Sequence, residues 1–258
     1  MAQLVLDVVV RLPDELRSRA LTLSARLDGE MRALGCASHF RLGEPYPGHG
    51  GGPCEPHISL FMLTVEESEI GDVLRAADRA GQGLPAVRAE GERYRHNPQG
   101  APGLYFRRTP EWIDLQHAVI TEVEPLRRGR LREFDPAGVR MRDLLADPGL
   151  DPARRRQFAA FGYDQVTQTW DPTGTGEDDR FNPHTTLGWP TDPACRVGLD
   201  DLPPPATFSG TLSELAVYGM SPHGTCTARF GTVRLGRPPA PEADRGSPRP
   251  DHPEATAP

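Results

Sequence analysis

Lysine is absent from this sequence, and all 29 basic residues are arginine. That removes the lysine of a phosphate-binding P-loop and any Schiff-base mechanism. A compositional bias towards arginine accounts for this more simply than selection for phosphate-gripping forks. Cysteine is scarce, and Cys36, Cys54, Cys195 and Cys226 stand singly with no C-x-x-C pair. Neither a zinc knuckle nor a redox motif is indicated. Long apolar runs are missing: nothing approaches the roughly 20 residues of a membrane span. The run over residues 4–10 is interrupted by Asp7 and has no basic leader or small-residue cleavage site, so no secretory signal is expected. A soluble, cytoplasmic protein with no membrane partner is the expectation. An excess of positive charge is also missing, since the formal net charge is -7. Holding long nucleic acid mainly by global electrostatics needs a basic footprint, so small or locally presented phosphates are what remain.

What is present is a chain of 258 residues with 37% hydrophobic content, enough for one sizeable core or two small lobes sharing a seam. Hydropathy patterning predicts a strand over residues 4–12 that ends at Pro13, then a helix from Asp14 to about Leu34. A glycine- and proline-rich connection at 43–56 leads into an extended segment at 57–65. A helix over 66–79 places Ile70, Val73, Leu74 and Ala77 on one face. Two shorter strands follow near 86–93 and 103–108. The next helix starts at Thr109 as N-cap, with Pro110 and Glu111 in its first turn and Trp112, Leu115, Ala118 and Val119 facing inwards.

Residues 127–180 read as an insertion, arginine-rich and broken by four Asp-Pro pairs, with one or two short helices and an acidic loop at 173–179. Strand signals return at 184–188, 213–219 and 227–235. Proline, charge and alanine dominate from Arg237, so a disordered tail is expected over 237–258. The element order predicts an α+β fold rather than a doubly wound sheet.

One short pattern recurs. Pro56-His57-Ile58-Ser59-Leu60 and Pro183-His184-Thr185-Thr186-Leu187 share the form proline, histidine, any residue, hydroxyl, leucine. Side chains alternate along a strand, so His57 and Ser59 point one way, as do His184 and Thr186, while Ile58, Leu60, Thr185 and Leu187 point the other. Each copy sets an imidazole beside a hydroxyl on a strand that still buries an apolar side. Cleaving a phosphate diester needs a base for the attacking oxygen and an acid for the departing one. Two imidazoles supply both near neutral pH. Ser59 and Thr186 can donate to non-bridging phosphate oxygens without a metal. A single H-x-S or H-x-T is more often structural; two framed copies make coincidence a poor explanation.

On these residues the sequence resembles the two-histidine phosphoesterase superfamily, including bacterial 2'-5' RNA ligase-like proteins and cyclic nucleotide phosphodiesterases. The resemblance spans most of residues 1–236: the opening strand ending in Leu-Pro, both motifs, the strand and helix at 103–123, and two closing strands within 212–235. It implies a bilobal, pseudo-symmetric α+β domain over 1–236, with two antiparallel sheets facing a central cleft and helices outside. It implies opening of cyclic phosphodiesters, typically a 2',3'-cyclic end, without metal or other cofactor. Carried over, His57 is the proton donor to the leaving ribose oxygen, His184 the base that activates water, and Ser59 and Thr186 the phosphate holders. The two histidine roles exchange when the reaction runs backwards. The wide spacing between motifs departs from the family and is accounted for by the insertion.

Other residues carry two readings each. Arg107 and Arg108 contact phosphate or are solvated; Tyr105 stacks on a base or belongs to the core. His223, in a hairpin at the cleft edge, contacts substrate or is a turn residue. Arg127, Arg128, Arg130 and Arg132 receive an RNA backbone or form a solvated face. The acidic loop around Glu177, Asp178 and Asp179 does not match an EF-hand. The expected partner is a small nucleotide or an RNA end bearing a cyclic phosphate, bound by a monomer with no obligate protein partner. A nucleotide-binding module without turnover and a 2'-5' ligase remain alternatives.

Overall fold

The β-branched opening forms strand β1 (Gln3–Arg11), and Pro13 then stands at the N-cap of helix α1 (Asp14–Ala33). This computed structural model describes residues 3–48, 51–171, 173 and 176–236. The tail expected at 237–258 and part of the loop at 173–179 lie outside the described residues. Leu16, Ala20, Leu23, Leu27 and Met31 recur at three- and four-residue steps along α1, and all are buried.

Strand β1 lies inside a four-stranded antiparallel sheet of order β2-β1-β8-β9, with β2 (His57–Glu66), β8 (Glu214–Ser221) and β9 (Thr225–Arg234). A second sheet, β4-β5-β6, joins β4 (Gly91–His96), β5 (Pro102–Phe106) and the short β6 (His184–Thr186), also antiparallel. Two sheets are expected from the sequence, and the structure has a third element, a ribbon of β3 (Val87–Ala89) and β7 (Gly210–Leu212). Only Glu90 separates β3 from β4. Gly91 opens β4 directly after the break, and a Cβ there would meet the Pro205 carbonyl oxygen at 2.0 Å. Only glycine admits so close a backbone approach.

The expected helix at 66–79 starts with a 3-10 turn, Glu67–Glu69, closed by a reciprocal capping box between Glu66 and Glu69, and continues as α2 (Ile70–Gly81). Thr109 occupies the N-cap of α3 (Pro110–Arg127), but its side chain makes no capping bond; Pro110 sets the first turn instead. One continuous cluster of buried side chains runs from Leu6 in β1 through Trp112 in α3 and Leu187 after β6 to Leu235 after β9.

The segment at 127–180 holds two short helices, α4 (Met141–Ala146) and α5 (Pro152–Phe161), over a small apolar cluster of Met141, Leu150 and Phe158. Asp151 caps α5 by accepting from the Ala153 and Arg154 amides, which gives one Asp-Pro pair its purpose. Gln116, buried on α3, fastens the segment down. Its amide donates to the Leu60 carbonyl of β2 at 2.9 Å and the Gln165 carbonyl at 2.8 Å, and its oxygen accepts from the Thr167 amide. Among the described residues, no helix is long and apolar enough to cross a membrane.

The Gly91 contact makes a prediction. Gly91→Ala should destabilise by about 1–3 kcal/mol through overpacking, whereas Gly198→Ala, with no atom within 4 Å of its Cβ position, should change stability by less than about 0.5 kcal/mol. Urea unfolding midpoints compare the two, and equal values would contradict the packing described.

Candidate active site

The first motif opens β2 and the second forms β6, and strand alternation sorts their side chains. Ile58 and Leu60 are fully buried, whereas His57, Ser59, His184 and Thr186 are half-buried and line one cleft of about 390 Å³. The strands meet across the seam through Thr185, 1% exposed, whose hydroxyl donates to the His57 carbonyl at 3.0 Å.

Both imidazoles are anchored alike. His57 Nδ1 bonds the Glu55 carbonyl at 2.7 Å, and His184 Nδ1 bonds the Asn182 carbonyl at 2.8 Å. A carbonyl only accepts, so each Nδ1 carries the proton, and the neutral ring keeps Nε2 as the free acceptor. In each copy the accepting carbonyl belongs to the residue two positions before the histidine, so the sequence repeat is also a repeat of geometry.

Burial pushes the His57 pKa down to about 4, more than its carbonyl bond raises it, and the facing His184 lowers it further. His184 is lowered as well, first by burial and then by the charge of Arg95. Tyr105 on β5 stacks on His184 with centroids 5.0 Å apart, and the Arg95 guanidinium on β4 lies over the Tyr105 ring at 4.1 Å. Tyr105 is thus nearly buried and a cleft residue at once.

The two hydroxyls differ. Thr186 borders the cleft, whereas Ser59 Oγ donates to Asp7 Oδ2 at 2.6 Å. Asp7 is 0% exposed in β1, and burial raises its pKa to about 7 against the lowering effects of Ser59, Arg132 and the Phe61 amide. The segment at 127–180 contributes Asp135, Arg154, Tyr163 and Arg180 to the cleft wall, together with the buried Arg132.

Other candidates from the sequence lie elsewhere. Arg107 pairs with Glu90 at 3.0 Å outside the cleft lining, and Arg108 pairs with buried Asp179 and covers the Trp170 ring. His223 is also outside the lining. It adopts a left-handed backbone (φ 62°), stacks on His39 at 3.7 Å and bonds the Tyr46 hydroxyl through Nδ1. Arg127, Arg128 and Arg130 are paired with Glu124, Glu69 and Glu66. Asp179, from the acidic loop, is an anchor that accepts from the Thr167 hydroxyl and the Asp171 amide.

Sequence reasoning missed Asp7, Arg95 and Tyr163 as groups around the site, and Arg132, read there as one of an arginine run, is buried against the cleft rather than on a solvated face. Of these, Asp7 left a signal, as the charge that interrupts the apolar run at 4–10.

One set of side chains has the spacing of a metal site: ligand atoms of Asp7, His57 and Cys226 lie within 4.8 Å of one another. Its chemistry fits poorly. Burial pushes the Cys226 thiol far up and Asp7 to about 7, and Ser59 already occupies one Asp7 oxygen. Cation binding requires deprotonated ligands, and we assign no metal here. A neighbouring concavity of about 430 Å³, bordered by Asp151, Glu177, Asp179 and Arg180, holds neither histidine motif.

No protein-family model matches the sequence, and no curated protein does either. Among solved structures, TT0787 of Thermus thermophilus matches at 17% identity and a TM-score of 0.51, over 90% of this chain and 98% of that one. The chain has the fold of TT0787. Escherichia coli LigT complexed with NADP+ also matches, at 17% identity and a TM-score of 0.47 over 91% of this chain and 99% of LigT. A structure described as a phosphoesterase gives the same four values. The α+β architecture with antiparallel sheets, expected from the sequence, is the one observed.

The imidazole geometry is open to direct measurement. Nitrogen-15 NMR should find His57 and His184 as Nδ1-protonated tautomers at pH 7.5, with His57 titrating near pH 4 and His184 below its ordinary 6.5. A His57 midpoint at or above 6.5 would contradict the burial described.

Proposed function

We propose that this chain is a metal-independent two-histidine phosphodiesterase that opens cyclic phosphodiesters, the 2',3'-cyclic phosphate of a small nucleotide or RNA end. The observation that carries this reading is the matched pair of Nδ1-anchored imidazoles on one cleft, each two residues before a hydroxyl. In hydrolysis, His184 Nε2 takes a proton from water as its oxygen attacks phosphorus. His57 Nε2 gives a proton to the departing ribose oxygen. Thr186 and Ser59 donate to the non-bridging oxygens, where negative charge accumulates.

The depressed pKa values suit this division. An imidazolium with a low pKa is a strong acid towards a leaving alkoxide, although few free molecules carry the proton at neutral pH. A bound phosphodiester anion favours the charged ring and raises that fraction.

A small substrate is favoured over a long RNA. The cleft volume falls in the range of small-molecule sites, the segment at 127–180 walls one side, and Arg127, Arg128 and Arg130 are engaged with glutamates. The same reading takes the protein to be a cytoplasmic monomer with one bilobal domain over 1–236.

Turnover of nucleoside 2',3'-cyclic phosphate in EDTA tests the proposal. His57→Ala and His184→Ala should each reduce kcat by about 100-fold or more, and unchanged turnover in either rejects the mechanism. The pH profile of kcat/KM should be bell-shaped and lie on the acid side of neutrality. Both free-enzyme imidazoles are lowered, so the form with one protonated ring is lost as pH climbs past the higher of the two values. A maximum above pH 7.5 would contradict that assignment.

A further inference from the structure

We infer that Asp7 is a positioning residue that governs which way the Ser59 hydroxyl donates, and thereby whether that hydroxyl can hold a phosphate anion. The inference rests on the phosphodiesterase reading of the cleft and deepens it.

The direction of this hydrogen bond turns on one proton. A serine hydroxyl has a single hydrogen to donate and two lone pairs. Here that hydrogen is given to Asp7 Oδ2 at 2.6 Å, although Ser59 lines the cleft on the same face as His57. With Asp7 ionised, Ser59 turns only lone pairs towards a phosphate oxygen, and the contact is repulsive. With Asp7 neutral, the carboxyl O–H donates to Ser59 Oγ and the serine hydrogen turns to the phosphate. One carboxyl proton therefore changes Ser59 from a group that repels the anion into one that binds it.

The surroundings of Asp7 make the neutral form accessible. It is 0% exposed between the apolar runs 4–6 and 8–10 of β1, and its Oδ1 has no hydrogen-bond partner among the described residues. An ionised carboxylate in such a place is costly. From β2 it is faced by His57, Ser59 and the Phe61 amide, and from β9 by the Cys226 thiol. From the segment at 127–180 come the Arg132 guanidinium and the Tyr163 hydroxyl, both buried. Its β8 neighbour in register is Tyr218. The Arg132 Nε makes no hydrogen bond among the described residues, and the guanidinium favours the ionised form through its charge. Burial outweighs it, and the carboxyl is held up at about 7.

The test compares wild type, Asp7→Asn, Ser59→Ala and the double variant on nucleoside 2',3'-cyclic phosphate from pH 5 to 9. The cyclic phosphodiester keeps one charge throughout, so changes belong to the protein. Asparagine has the shape of the neutral acid: its amide donates to Ser59 Oγ and leaves the serine hydrogen for phosphate.

In wild type, kcat/KM should fall above pH 7 with the loss of two protons, one from the histidine pair and one from Asp7. Asp7→Asn should fall with one, so that by pH 8.5 the wild type has lost about 30-fold more activity than the variant, relative to pH 5.5. In the Ser59→Ala background, Asp7→Asn should leave the profile unchanged. An unaltered alkaline limb in Asp7→Asn, or an undiminished effect without Ser59, overturns the inference; a merely structural Asp7 would shift activity uniformly with pH.

If wild type turns over no cyclic phosphate, the phosphodiesterase reading fails by itself, and calorimetry with sulfate decides the role of Asp7. Measured at pH 7.5 in buffers of different ionisation enthalpy, sulfate binding should take up more protons in wild type than in Asp7→Asn, by up to about one proton. Equal uptake, or no sulfate binding by wild type, overturns the inference.

Discussion

The hydrogen bond from the Thr185 hydroxyl to the His57 carbonyl is the contact on which the site depends. It joins the second motif to the backbone of the first, at the very residue whose imidazole must face His184. A buried hydroxyl left without a partner costs about 1–3 kcal/mol, so the pairing holds the seam in register. The bonds from each Nδ1 to a nearby carbonyl then fix ring orientation. Three bonds, all to main-chain carbonyls, therefore set the relation between two catalytic candidates far apart in sequence. Since these acceptors belong to the backbone, substituting a neighbouring side chain does not remove them.

Enclosure has its own consequences. Gln116 reaches from α3 to both β2 and the segment at 127–180, and so ties one cleft wall to the strand bearing His57. Burial between these walls pushes both imidazoles towards neutrality. The same enclosure pushes Asp7 towards its neutral acid form. Both imidazoles are thereby biased to the neutral form in the free state, while the arginines of the wall, Arg95, Arg154 and Arg180, stand ready for an anion. The phosphodiester anion then supplies the field that holds a proton on one histidine.

The α+β order, the long helices and the two motif strands were legible because each rests on local periodicity. His57, Ser59, His184 and Thr186 were legible because a framed repeat is improbable by chance and alternation fixes the face it occupies. Ser59 shows where that reasoning stops. Its face follows from strand period, but its partner follows from the register of β1 against β2, which shifts between Val8 and Val9. Asp7 was visible as an interruption of an apolar run, yet nothing local connects it to Ser59. Arg107 and Arg130 looked available for phosphate in sequence because Glu90 and Glu69 become their partners only through tertiary packing. Tyr105 is the buried aromatic of its core reading, and its ring also braces His184, a contact set by the register of β5 against β6 that nothing local encodes.

Convergence of the two rings on one phosphorus is the central claim, and a crystal structure with bound vanadate tests it most directly. Vanadate adopts the five-coordinate geometry of phosphoryl transfer, and the account predicts it in the cleft with His57 Nε2 and His184 Nε2 both within hydrogen-bond distance of its oxygens. Thr186 should donate to a third oxygen. Vanadate held by one histidine alone, or bound away from both, would contradict the account.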